Sequence, residues 1–284
     1  MVNIAEIRLN NINVIRQVLA DGREYTARSM AESTGLSIAT CTGILKELAE
    51  QSELLTDVRQ TNDVGRKTVF FKINPEFSRI LHIICFRNAQ VCRLFICTRY
   101  LFGEICVSFT EDVPDHSADT LNRVIDRLLG QDESILSVVV ACYRQTDLFP
   151  LQDGLRAKVP LYIQSFSNFL SLSYYEQLHI GIMTCVVCLK DSPAYIFHSY
   201  CGHVTSDAEM PTEELKTVLP GFMRIFHPGK ILLFGNEALC HSLSKELEPS
   251  VSIIKTENID LLFDCMASWI RKVYCGGIRL PKDF

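Results

Sequence analysis

The sequence predicts an α/β protein: an N-terminal winged helix-turn-helix followed by a duplicated, two-lobed α/β body. Three observations lead there. Residues 1–74 show helical apolar spacing and then two β-prone runs around a polar tip. Asn74-Pro75 breaks the chain. Beyond it, strand-like and helix-like segments alternate, and their order restarts once, which implies α/β layers. The length of 284 residues suits two or three domains. We expect them at residues 1–75, 76–165 and 166–284.

In the first 75 residues, Ile7, Ile15, Val18 and Leu19 share one helical face, and Asp21-Gly22 ends that helix. Thr26 caps a short helix that Gly35 terminates. Ser37 caps a third, whose buried side is Cys41, Ile44, Leu45 and Leu48. The turn Thr34-Gly35-Leu36-Ser37 makes the last two a helix-turn-helix. Residues 54–58 and 68–73 form the wing, with Gly65, Arg66 and Lys67 at its tip. In the body, strands are expected at 80–85, 91–97, 104–109, 135–141 and 161–163, with helices at 118–129 and 168–177. A second round follows, with strands at 180–189, 194–200, 231–234 and 251–255 and helices at 212–222, 237–247 and 259–274.

Composition narrows the function. At 48% hydrophobic and 21% charged residues, the chain is neither disordered nor low in complexity. No apolar run approaches the ~20 residues of a membrane span, and the N-terminus lacks a signal-peptide pattern. Twelve cysteines without a secretory signal read as reduced thiols of the cytoplasm. The net charge of −5 falls entirely on residues 75–284, because residues 1–74 hold nine cations and nine carboxylates. That neutrality is not a strongly basic nucleic-acid footprint.

Residues 8–74 resemble the winged helix of the ROK family (repressors, open reading frames and sugar kinases). The matching stretches are Arg8-x-Asn10-x-x-x-Val14-Ile15, Ala31-x-x-Thr34-Gly35-Leu36-Ser37-x-Ala39-Thr40, Lys46-Glu47-Leu48, and Gly65-Arg66-Lys67 ahead of Phe71-x-Ile73-Asn74. Turn, third helix and wing occur in the family's order. The rest of the chain resembles, in shortened form, the family's two-lobed actin-like (ribonuclease H-like) domain. The resemblance implies a DNA-binding transcriptional regulator, a repressor, whose body forms a homodimer or homotetramer. It implies double-stranded operator DNA as partner and a small-molecule effector, a sugar being one candidate. The family's third helix carries basic or polar residues where this chain has Ile38 and Gly43, which leaves Ser37, Thr40, Thr42 and Lys46 for base edges and Arg66 and Lys67 for phosphates or the minor groove.

The departures point away from catalysis. The family's Glu-Asn-Asp-Ala-Asn motif reads Gln164-Ser165-Phe166-Ser167-Asn168, so Phe166 stands where the catalytic carboxylate belongs. A phenyl ring cannot accept a sugar proton. The family's phosphate turn reads Ile84-Cys85-Phe86-Arg87-Asn88-Ala89, without glycines, and Gly235 is the one remnant of a second nucleotide turn. The family's Gly-Glu-x-Gly-His segment reads Ser199-Tyr200-Cys201-Gly202-His203, which leaves Asn168 and His203 as candidate ligand contacts. The family's zinc-binding cysteines are missing after His203. Cys185-x-x-Cys188 with Cys201 and His203 has zinc-type residues, but strand positions three apart face opposite sides. His179, His227 and His241 have no Ser or Cys partner at a recognisable spacing. We expect no enzyme, no cofactor and no metal. The alternatives are a non-DNA adaptor that pairs subunits through the winged helix, and a residual carbohydrate-binding or kinase-like protein.

Overall fold

Local signals set the N-terminal elements of the computed structural model, which describes residues 3–60, 67–87, 92–142, 144–188, 193–235, 237–247, 252–256 and 259–277. The Asn3 side chain caps α1 (Ile4–Leu19). Thr26 and Ser29 form a capping box at the start of α2 (Ala27–Thr34). Gly35 ends α2 at φ 73°, a left-handed conformation that suits glycine. Ser37 accepts from the Thr40 N–H and so starts α3 (Ile38–Glu50). The hairpin of β1 (Leu54–Gln60) and β2 (Lys67–Ile73) follows, antiparallel, with Leu54 opposite Ile73 and Gln60 opposite Lys67. Ile15, Leu19, Met30, Cys41, Ile44, Leu45, Leu48, Leu54, Phe71 and Ile73 close one core. Ile7 departs from expectation. It shares the helical face by spacing, yet it is 48% exposed.

Two five-stranded sheets make up the rest, and both have the same topology. The first holds β3 (Arg79–Arg87), β4 (Cys92–Tyr100), β5 (Ile105–Val113), β6 (Ile135–Cys142) and β7 (Leu161–Ser165), in the order β5-β4-β3-β6-β7. Helices α4 (Ala118–Gln131) and α5 (Leu148–Gly154) lie between its later strands in sequence, and α6 (Phe166–Leu178) leads out of β7. The second holds β8 (Ile182–Cys188), β9 (Ala194–Tyr200), β10 (His203–Met210), β11 (Lys230–Gly235) and β12 (Ser252–Thr256), in the order β10-β9-β8-β11-β12. Helices α7 (Leu215–Phe226), α8 (Glu237–Leu247) and α9 (Asp260–Tyr274) complete it. In each sheet the first three strands run third-second-first and the last two are added on the other side. Each has its own apolar core, one around Leu81, Leu94, Leu121, Ile125 and Val138, the other around Val186, Ile196, Leu219, Leu233 and Leu243. Strand β10 goes beyond the expected elements. It is an edge strand whose side chains alternate between exposed and half-buried, so its polar sequence gives little apolar signal.

The chain divides into two compact units. The first takes in Met1–Ile80, Thr98–Cys106 and Ala267–Phe284, and the second Leu81–Cys97 and Val107–Met266. Within the first unit, an ionic cluster joins α1, the residue before β1 and the end of α9. Arg16 donates to both carboxylate oxygens of Glu53 at 2.8 Å, and Glu53 is fully buried. The guanidinium lies 4.2 Å from the centre of the Tyr274 ring. Burial opposes the Arg16 charge, yet its pKa is raised, because the bonds to Glu53 outweigh that cost. Burial also pushes the Tyr274 phenol up, and hydrogen bonding to Glu53 adds to it. Gln17 donates to the Cys275 carbonyl at 3.1 Å. Gly276, at φ 72°, passes so close to Asn13 that a Cβ there would sit 2.3 Å from its amide nitrogen.

Candidate nucleic-acid interface

Helix α3 has one buried and one open side. Cys41, Ile44, Leu45 and Leu48 face the core, which turns Ile38, Ala39, Gly43 and Lys46 outward. A Cβ at position 43 would meet nothing within 4 Å, so the open face is flat there. The hydroxyls divide by role. Ser37 Oγ accepts from the Thr40 N–H and lies 2.9 Å from Thr40 Oγ1, so both hydroxyls serve the cap. Thr42 Oγ1 donates its proton to the Ile38 carbonyl at 2.7 Å, which leaves it lone pairs and a methyl group to offer. Lys46 is exposed and makes no ion pair among the described residues. A flat face with an acceptor, a methyl group and one uncovered cation can meet the edges of bases in a major groove.

The hairpin adds Lys67, exposed at the start of β2. Arg66 lies outside the described residues. Most of the arginines described in this unit's first 60 residues already face carboxylates. Arg8 is paired with Glu47, Arg16 with Glu53, and Arg59 with Glu24 and Asp57. Sequence reading had no signal for these pairs, whose members lie up to 39 residues apart.

At the second candidate site, around α6, the position of Phe166 is packed. Phe166 is the first residue of α6 and is 1% exposed. Its ring centre lies 5.6 Å from Phe86 on β3, and 5.7 and 6.1 Å from Tyr195 and Phe197 on β9. The Tyr195 hydroxyl donates to Asp207 at 2.7 Å. Aromatic side chains from both sheets therefore occupy the space around Phe166. Asn168 donates its side-chain amide to Gln164 at 2.7 Å, and its backbone N–H to Ser165. His203 is exposed at the start of β10. The preceding Gly202 sits against Leu172 and Tyr175, one to two turns along α6 from Asn168. In the same unit, Arg144 donates to Asp147 at 2.9 Å and to Glu209 of β10 at 2.6 Å. Cys185 and Cys188 are buried in β8, and burial pushes the Cys188 thiol up to about 12. Among the described residues, no group of three His, Cys, Asp or Glu is arranged to hold a metal ion.

No protein-family model matches the sequence, and no curated protein matches it. Among solved structures, a ROK family transcriptional regulator, a homolog of the E. coli MLC protein, aligns with a TM-score of 0.65 at 11% identity, over 95% of this chain and 97% of that one. A ROK family glucokinase from Streptomyces griseus in complex with glucose and AMPPNP aligns at a TM-score of 0.47 and 9% identity, over 67% of this chain and 98% of that one. A ROK family protein from Streptococcus pneumoniae TIGR4 in complex with sucrose aligns at 0.46 and 12%, over 69% and 99%. The chain shares the fold of the ROK regulator along nearly its whole length, as the sequence resemblance implied. No helix among the described residues is long and apolar enough to cross a membrane.

Proposed function

We propose that this chain is a DNA-binding transcriptional regulator of the cytoplasm, acting as a repressor. Its N-terminal helices and hairpin serve as a winged helix-turn-helix, and its actin-like body pairs copies of the chain without catalysing a reaction. The observation that carries this reading is the open face of α3, where Thr42 and Lys46 are available beside the exposed Ile38, Ala39 and Gly43 while the opposite side is packed. The fold shared with a ROK transcriptional regulator over 95% of the chain supports it. In this reading α3 enters the major groove. Lys46 donates to a guanine edge or a phosphate, and Thr42 accepts from an exocyclic amine or packs against a thymine methyl. Ser37 and Thr40 position the helix rather than read bases, because their hydroxyls serve the cap. Lys67, with Arg66, approaches the backbone from the wing. A homodimer or homotetramer sets the spacing between paired helices.

Phe166 supports the non-enzymatic part. Its ring offers no base, and it is buried among aromatic neighbours. A small-molecule effector, a sugar included, would have Asn168 and His203 as its candidate contacts. Asn168 stands at the start of α6, and the turn before His203 packs one to two turns further along that helix.

A second reading, a protein adaptor, draws on the N-terminal charge balance. Arg8, Arg16, Arg23 and Arg59 all face carboxylates, which leaves few cations for a polyanion. Selection of bound duplexes from fragmented genomic DNA separates the two. A regulator enriches a common sequence, including one upstream of a gene it controls. An adaptor enriches none.

A further inference from the structure

The outer side of the hairpin carries an arginine whose donors are directed at its own protein. Arg59 lies one residue pair inside the last described pair of the hairpin, Gln60 with Lys67. Its Nη1 and Nη2 donate to the two oxygens of Glu24 at 2.8 and 3.0 Å, and its Nε donates to Asp57 at 2.5 Å. The Phe70 ring lies beneath, 4.8 Å from the guanidinium carbon. Glu24 is held in place, because its neighbour Tyr25 exchanges two backbone hydrogen bonds with Phe71 at 2.8 Å. Leu55 and Lys72 complete a shallow cavity around these groups. Arg59 and Glu24 both remain open to water, at 45% and 39% exposure. An exposed pair of this kind contributes at most about 1 kcal/mol. A phosphate offers the same planar fork an equivalent acceptor and releases counterions as well.

We propose that Glu24 masks Arg59: the hairpin carries a further DNA-phosphate contact, closed on Glu24 in the free protein and opened when a duplex phosphate replaces that carboxylate. The proposal rests on the DNA-binding reading and names a regulator of that interface. Glu24 thereby sets how much affinity the hairpin adds, while Asp57 keeps the guanidinium aligned over Phe70.

The test compares wild type with Glu24→Gln, Arg59→Ala, the double variant, and Glu32→Gln, which makes the same charge change at an exposed site on α2. Binding to duplex DNA and elution from immobilised heparin are measured over a salt series. The mask predicts that Glu24→Gln binds duplex about two- to fivefold tighter than Glu32→Gln. It predicts a salt slope steeper by about one and later elution from heparin. Arg59→Ala should abolish that gain and should cost Glu24→Gln more than it costs wild type. A Glu24→Gln protein that behaves like Glu32→Gln overturns the proposal, as does a gain that survives Arg59→Ala. If no variant binds duplex while the heparin shift is present, Glu24 still masks Arg59 from polyanions, but the DNA-phosphate contact falls together with the DNA-binding reading.

Discussion

The open face of α3 and the start of α6 are built from opposite choices. On α3 the polar groups that packing does not need stay outward, and Lys46 has no carboxylate paired with it among the described residues. At α6 the first residue is a phenylalanine sealed among Phe86, Tyr195 and Phe197. Burying a ring there stabilises the join between two sheets, and the phenyl group itself cannot accept a proton. Leaving Lys46 uncovered contributes nothing to packing. The contrast fits the proposed division of labour, with DNA contact on the open face of α3 and packing support at α6.

The largest expected effects fall on the supporting side. Phe166→Ala should lower unfolding free energy by about 3–5 kcal/mol in denaturant titrations, since it opens a cavity among the rings around it. A change under about 1 kcal/mol would show that the ring does not hold the sheets together. Arg16→Ala should cost about 3 kcal/mol, because it leaves the buried Glu53 carboxylate without its partner. If Arg16→Ala unfolds like wild type, the cluster that ties α1 to Tyr274 is not a structural clamp. Ser37→Ala should cost about 1 kcal/mol through loss of the α3 cap. Base readout should suffer little in that variant once binding is corrected for the folded fraction. A sequence preference altered by Ser37→Ala would instead make Ser37 a reader.

A smaller effect depends on pH. His198 on β9 is buried beside Thr184, with Nδ1 3.2 Å from the hydroxyl, and its ring centre lies 4.4 Å from that of Phe226. Burial lowers its pKa, so the fold favours the neutral ring. For a group whose folded pKa is depressed in this sense, the stabilisation is present above the unfolded pKa of ~6.5 and is lost as pH falls from there through the folded pKa. His198→Gln should therefore flatten the loss of stability as pH falls below about 6.5. Equal slopes for the two proteins would show that His198 titrates as freely in the fold as out of it.

Legibility in the sequence followed the range of the interactions. Thr26, Gly35 and Ser37 announce the helix boundaries because caps and left-handed turns depend on neighbours three or four residues away. Repetition of strand and helix segments announces two similar sheets, and both have the same strand order. Strand β10 stays hidden, since its polar side chains line an edge and little apolar alternation is left to read. At the site, the resemblance to the family's third helix picks out Lys46 and Thr42, with Ser37 and Thr40 beside them. It does not reveal the pairing of Arg59 with Glu24, nor the cluster of Arg16, Glu53 and Tyr274, because these partners meet only after the chain has folded back across 35 residues or more. Phe166 stands out as a misfit for chemistry from its place in a motif, whereas its aromatic surroundings exist only once the two sheets have formed.

Whether the open face of α3 touches DNA decides the regulator reading. It is tested by binding of a duplex from upstream of the chain's own gene, followed by fluorescence anisotropy over a salt series for wild type and Lys46→Ala. The expected result is tight binding by wild type that weakens steeply with salt, and a Lys46→Ala slope shallower by about one. Equal affinities and equal slopes for the two proteins, or no binding by wild type at low salt, would contradict it.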